Sequence, residues 1–215
     1  LFFSASGFVA ATMLYEFYKG SRARQTIRPT SFLTALLDLT LMNKRRYGGF
    51  IIHLGVVLVF VGIIASSFFS VEQFFTVSQG EQFSFGDYTL KFQGLTQKKD
   101  PEKDVVLAHL VVWQNGEQID ELFPQKDFHH KSEQPMTEVK IRSTLKEDLY
   151  LVLSGYEEGV QATFHVFINP LVRLIWYGIG VMVLGGMFVL VPNKQLGPAV
   201  ALKKPSSKEV RDKAA

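Results

Sequence analysis

The residue in this sequence that is best suited to carry out chemistry is one histidine inside a long apolar run. His53 lies within residues 48–69, about 22 residues that carry no charge and would form a helix long enough to cross the hydrocarbon core of a bilayer. Ionisable groups inside a membrane are costly, so they mark functional sites by default. The imidazole could ligate a metal, relay a proton or hydrogen-bond to a neighbouring helix, and each interpretation needs a different partner.

This predicted helix has two different faces. Its small residues fall within roughly 40° of one another at about 100° per residue, a pattern that lets two membrane helices approach closely. These residues are Gly48, Gly55, Gly62 and Ser66. His53 lies about 140° away from Gly48. Its neighbours on that second face are Gly49, Val56, Val57 and Phe60. The first face is predicted to contact another helix, and the second presents an imidazole beside small or flat neighbours, where a flat cofactor would fit.

The partners of His53 must come from outside its own helix. A proton relay would normally need Asp or Glu nearby, and residues 48–69 contain neither. An iron porphyrin with two axial imidazoles would need a second histidine at similar depth. The other apolar runs of the sequence hold no histidine, so a second ligand would have to come from another part of the assembly.

Four further histidines lie in the polar stretch that follows. His109 and His165 alternate with apolar residues, so each is expected to face solvent or a neighbouring strand. His129 and His130 are expected in a polar loop after Pro124. The sequence has no Cys, and no histidine spacing matches a zinc site, so structural or surface roles are expected for all four. His165 is also a secondary candidate for a functional residue, because it lies close to the last apolar run, where a ligand or partner could approach.

The distribution of charge predicts how the chain is oriented. The net charge of +3 divides into −7 for residues 71–168, +9 for residues 1–69 and 191–215 together, and +1 for Arg173. Seven cations lie between two apolar runs, in residues 19–46, and the positive-inside rule places them in the cytoplasm. They orient the chain and contact anionic lipid, so no nucleic-acid partner is indicated.

The sequence therefore predicts a membrane α-helical protein with an inserted all-β extramembrane domain. Three transmembrane helices and one small antiparallel β sandwich or barrel are expected. The first apolar run lacks an initiator Met and a basic flank, so we expect the end of a longer membrane helix rather than a signal peptide. The predicted segments are a transmembrane helix at 1–18, a cytoplasmic basic loop with an amphipathic interfacial helix at 19–47, the His53 helix at 48–69, the exported domain at 70–169, a transmembrane helix at 170–191 and a cytoplasmic basic tail at 192–215.

Alternation of apolar and polar residues predicts seven or eight short strands in the exported domain. The dipeptide Asn115-Gly116, after the apolar stretch at 105–113, indicates a two-residue type I′ hairpin turn. Residues 98–104 are charged and contain Pro101, so a loop is expected there. Arg173 is expected to snorkel at the outer end of the last helix, beside Trp176 and Tyr177.

Three stretches of the sequence resemble one known family. Residues 43–55 (NKRRYGGFIIHLG) are similar to the penultimate-helix signature of the cytochrome c maturation protein F family, a membrane haem lyase. Residues 135–139 (PMTEV) with 148–150 (DLY), and residues 169–178 (NPLVRLIWYG) with later glycines, resemble the same family in the same order. The resemblance covers the C-terminal part of a usual family member.

The resemblance implies a cofactor and a set of partners. Family members bind a b-type haem within the membrane through two helix histidines, and His53 matches the second of these. The first would lie in the N-terminal portion of the family protein, outside this sequence. Gly49, Val56, Val57 and Phe60 would then line the haem face. The implied partners are that N-terminal portion, a haem chaperone, a thiol-handling maturation subunit, apocytochrome c and membrane lipid.

The function implied is part of a cytochrome c haem lyase in the inner membrane, with the β domain on the periplasmic or equivalent outer side. The complex would attach ferrous haem covalently to apocytochrome c thiols, and this chain alone is not expected to be active. The alternative is a non-catalytic membrane scaffold subunit whose exported β domain docks a partner. In that case His53 would be replaceable, and no chromophore would co-purify.

Overall fold

The computed structural model describes residues 1–130, 135–157 and 161–192. Most of the basic tail predicted at 192–215 therefore lies outside the described residues. The helices are α1 (Phe2–Ile27), α2 (Phe32–Met42), α3 (Lys44–Phe68) and α4 (Arg173–Leu190). The strands are β1 (Val71–Ser78), β2 (Gln82–Phe85), β3 (Tyr88–Lys99), β4 (Lys103–Gln114), β5 (Glu117–Leu122), β6 (Gln125–His129), β7 (Met136–Glu138), β8 (Lys140–Ser143), β9 (Glu147–Glu157) and β10 (Gln161–Pro170).

Helix α1 extends further than its apolar run predicts. Residues 19–27, expected in a loop, continue the helix to Ile27. Lys, Arg and Gln are good helix formers, and the helix ends just before Pro29, whose ring disfavours a helical residue ahead of it. Ser31 then caps α2 by accepting a hydrogen bond from the Thr34 amide.

The helix α1 runs antiparallel to α3. Near one end the rings of Phe2 and Phe68 lie 6.5 Å apart, and near the other the rings of Phe17 and Phe50 lie 5.9 Å apart. Among the described helices, α3 and α4 are long and apolar enough to cross a membrane, by length and composition. Three such helices were predicted, and α1 does not meet the same test. Its predicted place in the membrane stays a prediction.

The strands form two antiparallel sheets that enclose one core. One sheet has the order β1-β10-β9-β8, and the other β2-β3-β4-β6-β7 with β5 also paired to β4. The core side chains come from both sheets, and Phe164 of β10 packs against Phe92 of β3 with ring centroids 5.3 Å apart. Alternate residues along each strand are buried because successive side chains point to opposite faces. The predicted sandwich is confirmed.

Local details of the domain both follow and depart from the expectations. The hairpin turn is as predicted, since Asn115 and Gly116 have φ values of 53° and 82°, both in the left-handed region that a type I′ turn requires. The predicted loop at 98–104 is wrong for most of its length, because β3 runs to Lys99 and β4 begins at Lys103. The described residues contain ten strands rather than seven or eight. Several are too short, down to three residues in β7, for alternation to reveal them.

Short contacts hold the β domain onto the helix pair. Ser70 Oγ donates a hydrogen bond to Asn169 Oδ1 at 2.5 Å, so the two connections between helices and sheet are tied side by side. Leu171 has φ of 58° at the bend into α4, and its amide donates to the Lys146 carbonyl at 3.0 Å. Arg173 donates to the Ser143 carbonyl at 3.1 Å, so this side chain clamps α4 to β8 rather than only snorkelling.

Candidate functional site

One face of α3 is closed against α4 through glycines. A Cβ atom at Gly55 would stand 2.6 Å from the Gly178 carbonyl oxygen, and a Cβ at Gly178 would stand 2.6 Å from the Gly55 carbonyl oxygen. A Cβ at Gly62 would lie 2.8 Å from Ile175. The two backbones are therefore in contact, which only residues without a side chain allow. The predicted stripe is correct for its glycines, whereas Ala65 rather than Ser66 is buried there.

His53 lies on the opposite, open face of α3. Its side chain is exposed, and Nδ1 lies 2.8 Å from the carbonyl oxygen of Gly49. A carbonyl only accepts, so Nδ1 carries the hydrogen and donates. When the imidazole is neutral, Nε2 is therefore the nitrogen without a hydrogen, and its lone pair is available to a metal ion or to a proton. A backbone hydrogen bond of this kind is the usual way in which a ligating histidine is oriented.

The imidazole contributes to a cleft between α3 and α1. The cleft has a volume of about 290 Å³ and is lined by Thr12, Met13, Glu16, Phe50 and His53. The helix that carries His53 contains no acid between residues 48 and 69, so its own sequence indicates no acidic neighbour. The antiparallel packing of α1 supplies Glu16 from a position 37 residues earlier in the chain. Only the pairing of the two helices could have revealed it.

The other residues predicted around His53 lie on the open face at different depths. At Gly49 a Cβ would meet nothing within 4 Å, so the space above this turn of the helix is free. Phe60 is exposed, while Val56 and Val57 are half-buried. None of these four lines the described cleft, which extends from His53 toward Glu16. The assignment of these four residues to a haem face stays a prediction.

Glu16 also forms an ion pair at one end of the cleft. Arg46 Nη2 lies 2.6 Å from Glu16 Oε2, and both side chains are partly exposed. The Arg46 guanidinium lies 5.9 Å from the ring centroid of Phe50. The cleft thus has an imidazole in its wall, and Glu16, the carboxylate among its lining residues, is paired with Arg46.

The histidines of the β domain pair with carboxylates and rings. His109 Nε2 lies 2.9 Å from Glu121, and the His109 ring stacks on Phe123. His165 Nε2 lies 3.1 Å from Glu72, and its ring stacks on Phe74 at 3.8 Å between centroids. Both interactions bridge side chains on the outer faces of paired strands, as predicted, and give each histidine a structural partner.

His129 and His130 differ from the expectation of a loop pair. His129 is the last residue of β6 and pairs with Lys103 of β4, so the two imidazoles point in different directions. His130 lies 3.4 Å from Asp104. Within residues 1–130, 135–157 and 161–192, no group of three or more potential ligands is arranged to hold a metal ion.

Titratable groups of the β domain are perturbed by the fold rather than by a reaction centre. Asp127 is buried beneath Lys103 Nζ at 2.5 Å, and this hydrogen bond raises the pKa of Lys103 above its usual 10.5. Burial raises the pKa of Tyr88 above 10.0, with a further contribution from the Glu147 carboxylate. Both groups keep their ordinary charge at neutral pH, and both shifts are caused by burial and contacts within the sandwich.

Comparison with known proteins shows which family and which relatives the chain is similar to. The family described as "CcmF C-terminal beta-sandwich" matches residues 68–170. The cytochrome c-type biogenesis protein CcmF of Haemophilus influenzae is 30% identical over 186 residues, which is 86% of this chain and 28% of the relative. The CcmF of Pseudomonas aeruginosa is 31% identical over 71% of this chain and 23% of its own length.

A solved structure has a similar fold. The protein titled "Cytochrome c Heme Lyase CcmF" superimposes with a TM-score of 0.62 at 20% identity, covering 85% of this chain and 34% of that one. The chain spans between about a fifth and a third of the length of these relatives. The family match and the two CcmF relatives agree, so residues 68–170 are identified as the C-terminal β-sandwich of the cytochrome c maturation protein F (CcmF) family, and the chain as a whole is similar to the C-terminal part of that family.

Proposed function

We propose that this chain is part of a membrane haem lyase of cytochrome c maturation, and that His53 supplies one axial ligand to a b-type haem at membrane depth. The observation that carries the proposal is the hydrogen bond from His53 Nδ1 to the Gly49 carbonyl. It fixes the tautomer whose Nε2 is free to ligate iron, and it holds the ring against the helix. The names of the CcmF relatives support the cytochrome c maturation role.

The surroundings of His53 fit such a group. The imidazole is exposed on the face of α3 that α4 leaves free, and the space above Gly49 is open to a flat molecule. The second axial ligand would come from outside this chain, because the described helices contain no other histidine. When bound, the haem would supply one-electron redox chemistry inside the membrane.

The chain's own residues would position that chemistry. The glycine contacts between α3 and α4 hold the His53 helix close to a rigid neighbour. The Arg173 and Leu171 contacts then fix the sandwich directly above the helix pair. We place the helices in the inner membrane and the sandwich on the periplasmic or equivalent outer side, because the cations of residues 19–46 lie at the opposite end.

The β domain would serve the same reaction by docking its partners. The proposed partners are apocytochrome c, the haem chaperone and the thiol-handling subunit. The substrates would be a ferrous haem and the apocytochrome thiols. Each thiol would add across a haem vinyl group, forming a carbon–sulfur bond while its hydrogen goes to the other vinyl carbon. The described residues of the domain contain no group of three or more potential metal ligands, and we propose that the domain orients the partners.

The test is a visible spectrum of the complex purified through this chain, oxidised and dithionite-reduced. The wild type is compared with His53→Ala and with His165→Ala, a matched control in the β domain. We expect a b-type spectrum that is lost in His53→Ala and kept in His165→Ala. An intact complex with no haem in any of the three samples, or with the same spectrum in all three, would refute the ligand role. The absence of haem would favour the scaffold function.

A further inference from the structure

Arg46 lies on the same face of α3 as His53. The two residues are seven positions apart, about 20° short of two full helical turns and roughly 10 Å along the axis. Gly49 lies between them on that stripe, and a Cβ there would meet nothing within 4 Å. The stripe therefore presents an imidazole, an open gap and a guanidinium in that order.

The side-chain contacts direct both ends of this stripe toward the gap. The hydrogen bond from His53 to the Gly49 carbonyl draws the imidazole back over the gap, toward Arg46. The Arg46 guanidinium lies 5.9 Å from the ring centroids of both Tyr47 and Phe50, on the turn of α3 that leads to Gly49. Phe50 and His53 both line the cleft between α1 and α3. Arg46 thus contacts a residue, Phe50, that lines the same cleft as the imidazole.

The Arg46 guanidinium already binds one carboxylate, that of Glu16. Glu16 Oε2 accepts a hydrogen bond from Arg46 Nη2 at 2.6 Å, and Glu16 also lines the cleft. The Arg46 side chain is 62% exposed, so most of its donors remain accessible to a second anion. An arginine of this kind recognises carboxylates by paired hydrogen bonds, which a lysine cannot reproduce.

This arrangement fits a flat ligand with an apolar body, a metal at its centre and carboxylates on one edge. We propose that Arg46 binds a propionate of the haem whose iron His53 ligates, and that Glu16 holds the guanidinium in place when no propionate is there. This inference rests on the proposed function, since it needs haem at His53. It makes Arg46 a binding residue and Glu16 a positioning residue.

The competing explanation is that Arg46 is one of several cations that orient the chain in the membrane. Arg45 provides the comparison, because it carries the same charge about 100° around the helix and off the His53 stripe. An orienting charge would behave alike at both positions. A propionate ligand would distinguish them.

The experiment is a titration of the haem-depleted complex, purified through this chain, with haem and separately with haem dimethyl ester, which has no free carboxylates. Wild type, Arg46→Gln and the control Arg45→Gln are compared. We expect Arg46→Gln to bind haem about tenfold more weakly and Arg45→Gln to bind it as wild type does. With the dimethyl ester, all three should bind equally. A loss in Arg46→Gln that is the same for both porphyrins, or no loss at all, would overturn the proposal.

Two further variants separate this proposal from its premise. Arg46→Lys keeps the orienting charge, so it replaces Arg46→Gln if that variant fails to insert into the membrane. Relative to wild type, Arg46→Lys should bind haem more weakly and haem dimethyl ester equally well. The haem midpoint potential should fall in Arg46→Gln and rise in Glu16→Gln, because the local positive charge is lost or gained. If His53→Ala keeps the spectrum, the proposed function fails. If only His53→Ala has an effect, the function stands and the Arg46 inference fails.

Discussion

The two faces of α3 use glycine for opposite purposes. At Gly55 the missing side chain brings the backbone of α4 into contact, and any added atom would meet the Gly178 carbonyl. At Gly49 the missing side chain leaves open space, with nothing within 4 Å of an added atom. The first face contains no titratable group at its glycine contacts, whereas the second presents His53 beside Glu16.

The difference shows how one helix can be held rigidly by its neighbour on one face and stay open to a ligand on the other. Backbone contact with α4 restricts the position and rotation of α3, and this restriction also orients every side chain on the open face. A ligand site is best placed on such a rigid element, because its first contacts need little further ordering. The closed face thus supports the chemistry proposed for the open one without taking part in it.

The largest effect is expected from filling the closed face. Gly55→Leu should destabilise the α3–α4 pair by about 3 kcal/mol, because the new side chain would clash with backbone that cannot move aside. The measurement is thermal unfolding of the purified chain in detergent, followed by circular dichroism. Gly180→Leu is the control, since a Cβ at Gly180 of α4 would meet nothing within 4 Å. Equal stability of the two variants would contradict the description of this interface.

A smaller change in stability, with a large change in binding, is expected on the open face. Gly49→Ala should keep or raise helix stability, by up to about 1 kcal/mol, because alanine favours the helix and meets no neighbour. Gly49→Phe should leave the fold intact and cover the imidazole one turn away. Haem absorbance of the purified complex should therefore be kept in Gly49→Ala and mostly lost in Gly49→Phe. Full absorbance in Gly49→Phe would show that the ligand does not use this space.

The smallest effect is expected from alkaline pH, which should separate the β domain from the helix pair. The raised pKa values of Tyr88 and Lys103 mean that the unfolded chain releases these protons first. The stability of the domain should be unaffected below pH 10 and should fall progressively as pH rises through the folded-state values. The glycine contacts of the helix pair have no such group.

The two tryptophans allow this comparison in one protein, since Trp113 lies in β4 and Trp176 in α4. In Trp176→Phe the remaining fluorescence follows the domain, and in Trp113→Phe it follows the helices. The domain should unfold more easily above pH 10, with a shallower decline when Tyr88 is replaced by Phe, while the helix signal stays constant. A parallel decline of both signals would mean that the regions unfold as one unit.

Much of the fold follows from local patterns. The glycine spacing of α3 predicts its contact face, and Asn115-Gly116 predicts the hairpin turn, because each depends on residues close in sequence. The loop at 98–104 and the position of His129 could not be predicted in this way. A charged segment extends as strand when a neighbouring strand pairs with it, as β4 does with β3 and β6.

For the site, the sequence alone determined that His53 is an ionisable residue on the face of an apolar helix opposite a small-residue stripe. Spacing of about 3.6 residues per turn is sufficient for that conclusion. Only the tertiary structure decided which groups meet His53. Glu16 reaches the cleft because α1 packs antiparallel to α3, and Arg173 clamps the domain because β8 passes beside α4. Contacts between residues distant in sequence depend on how elements pack, and no local pattern records that packing.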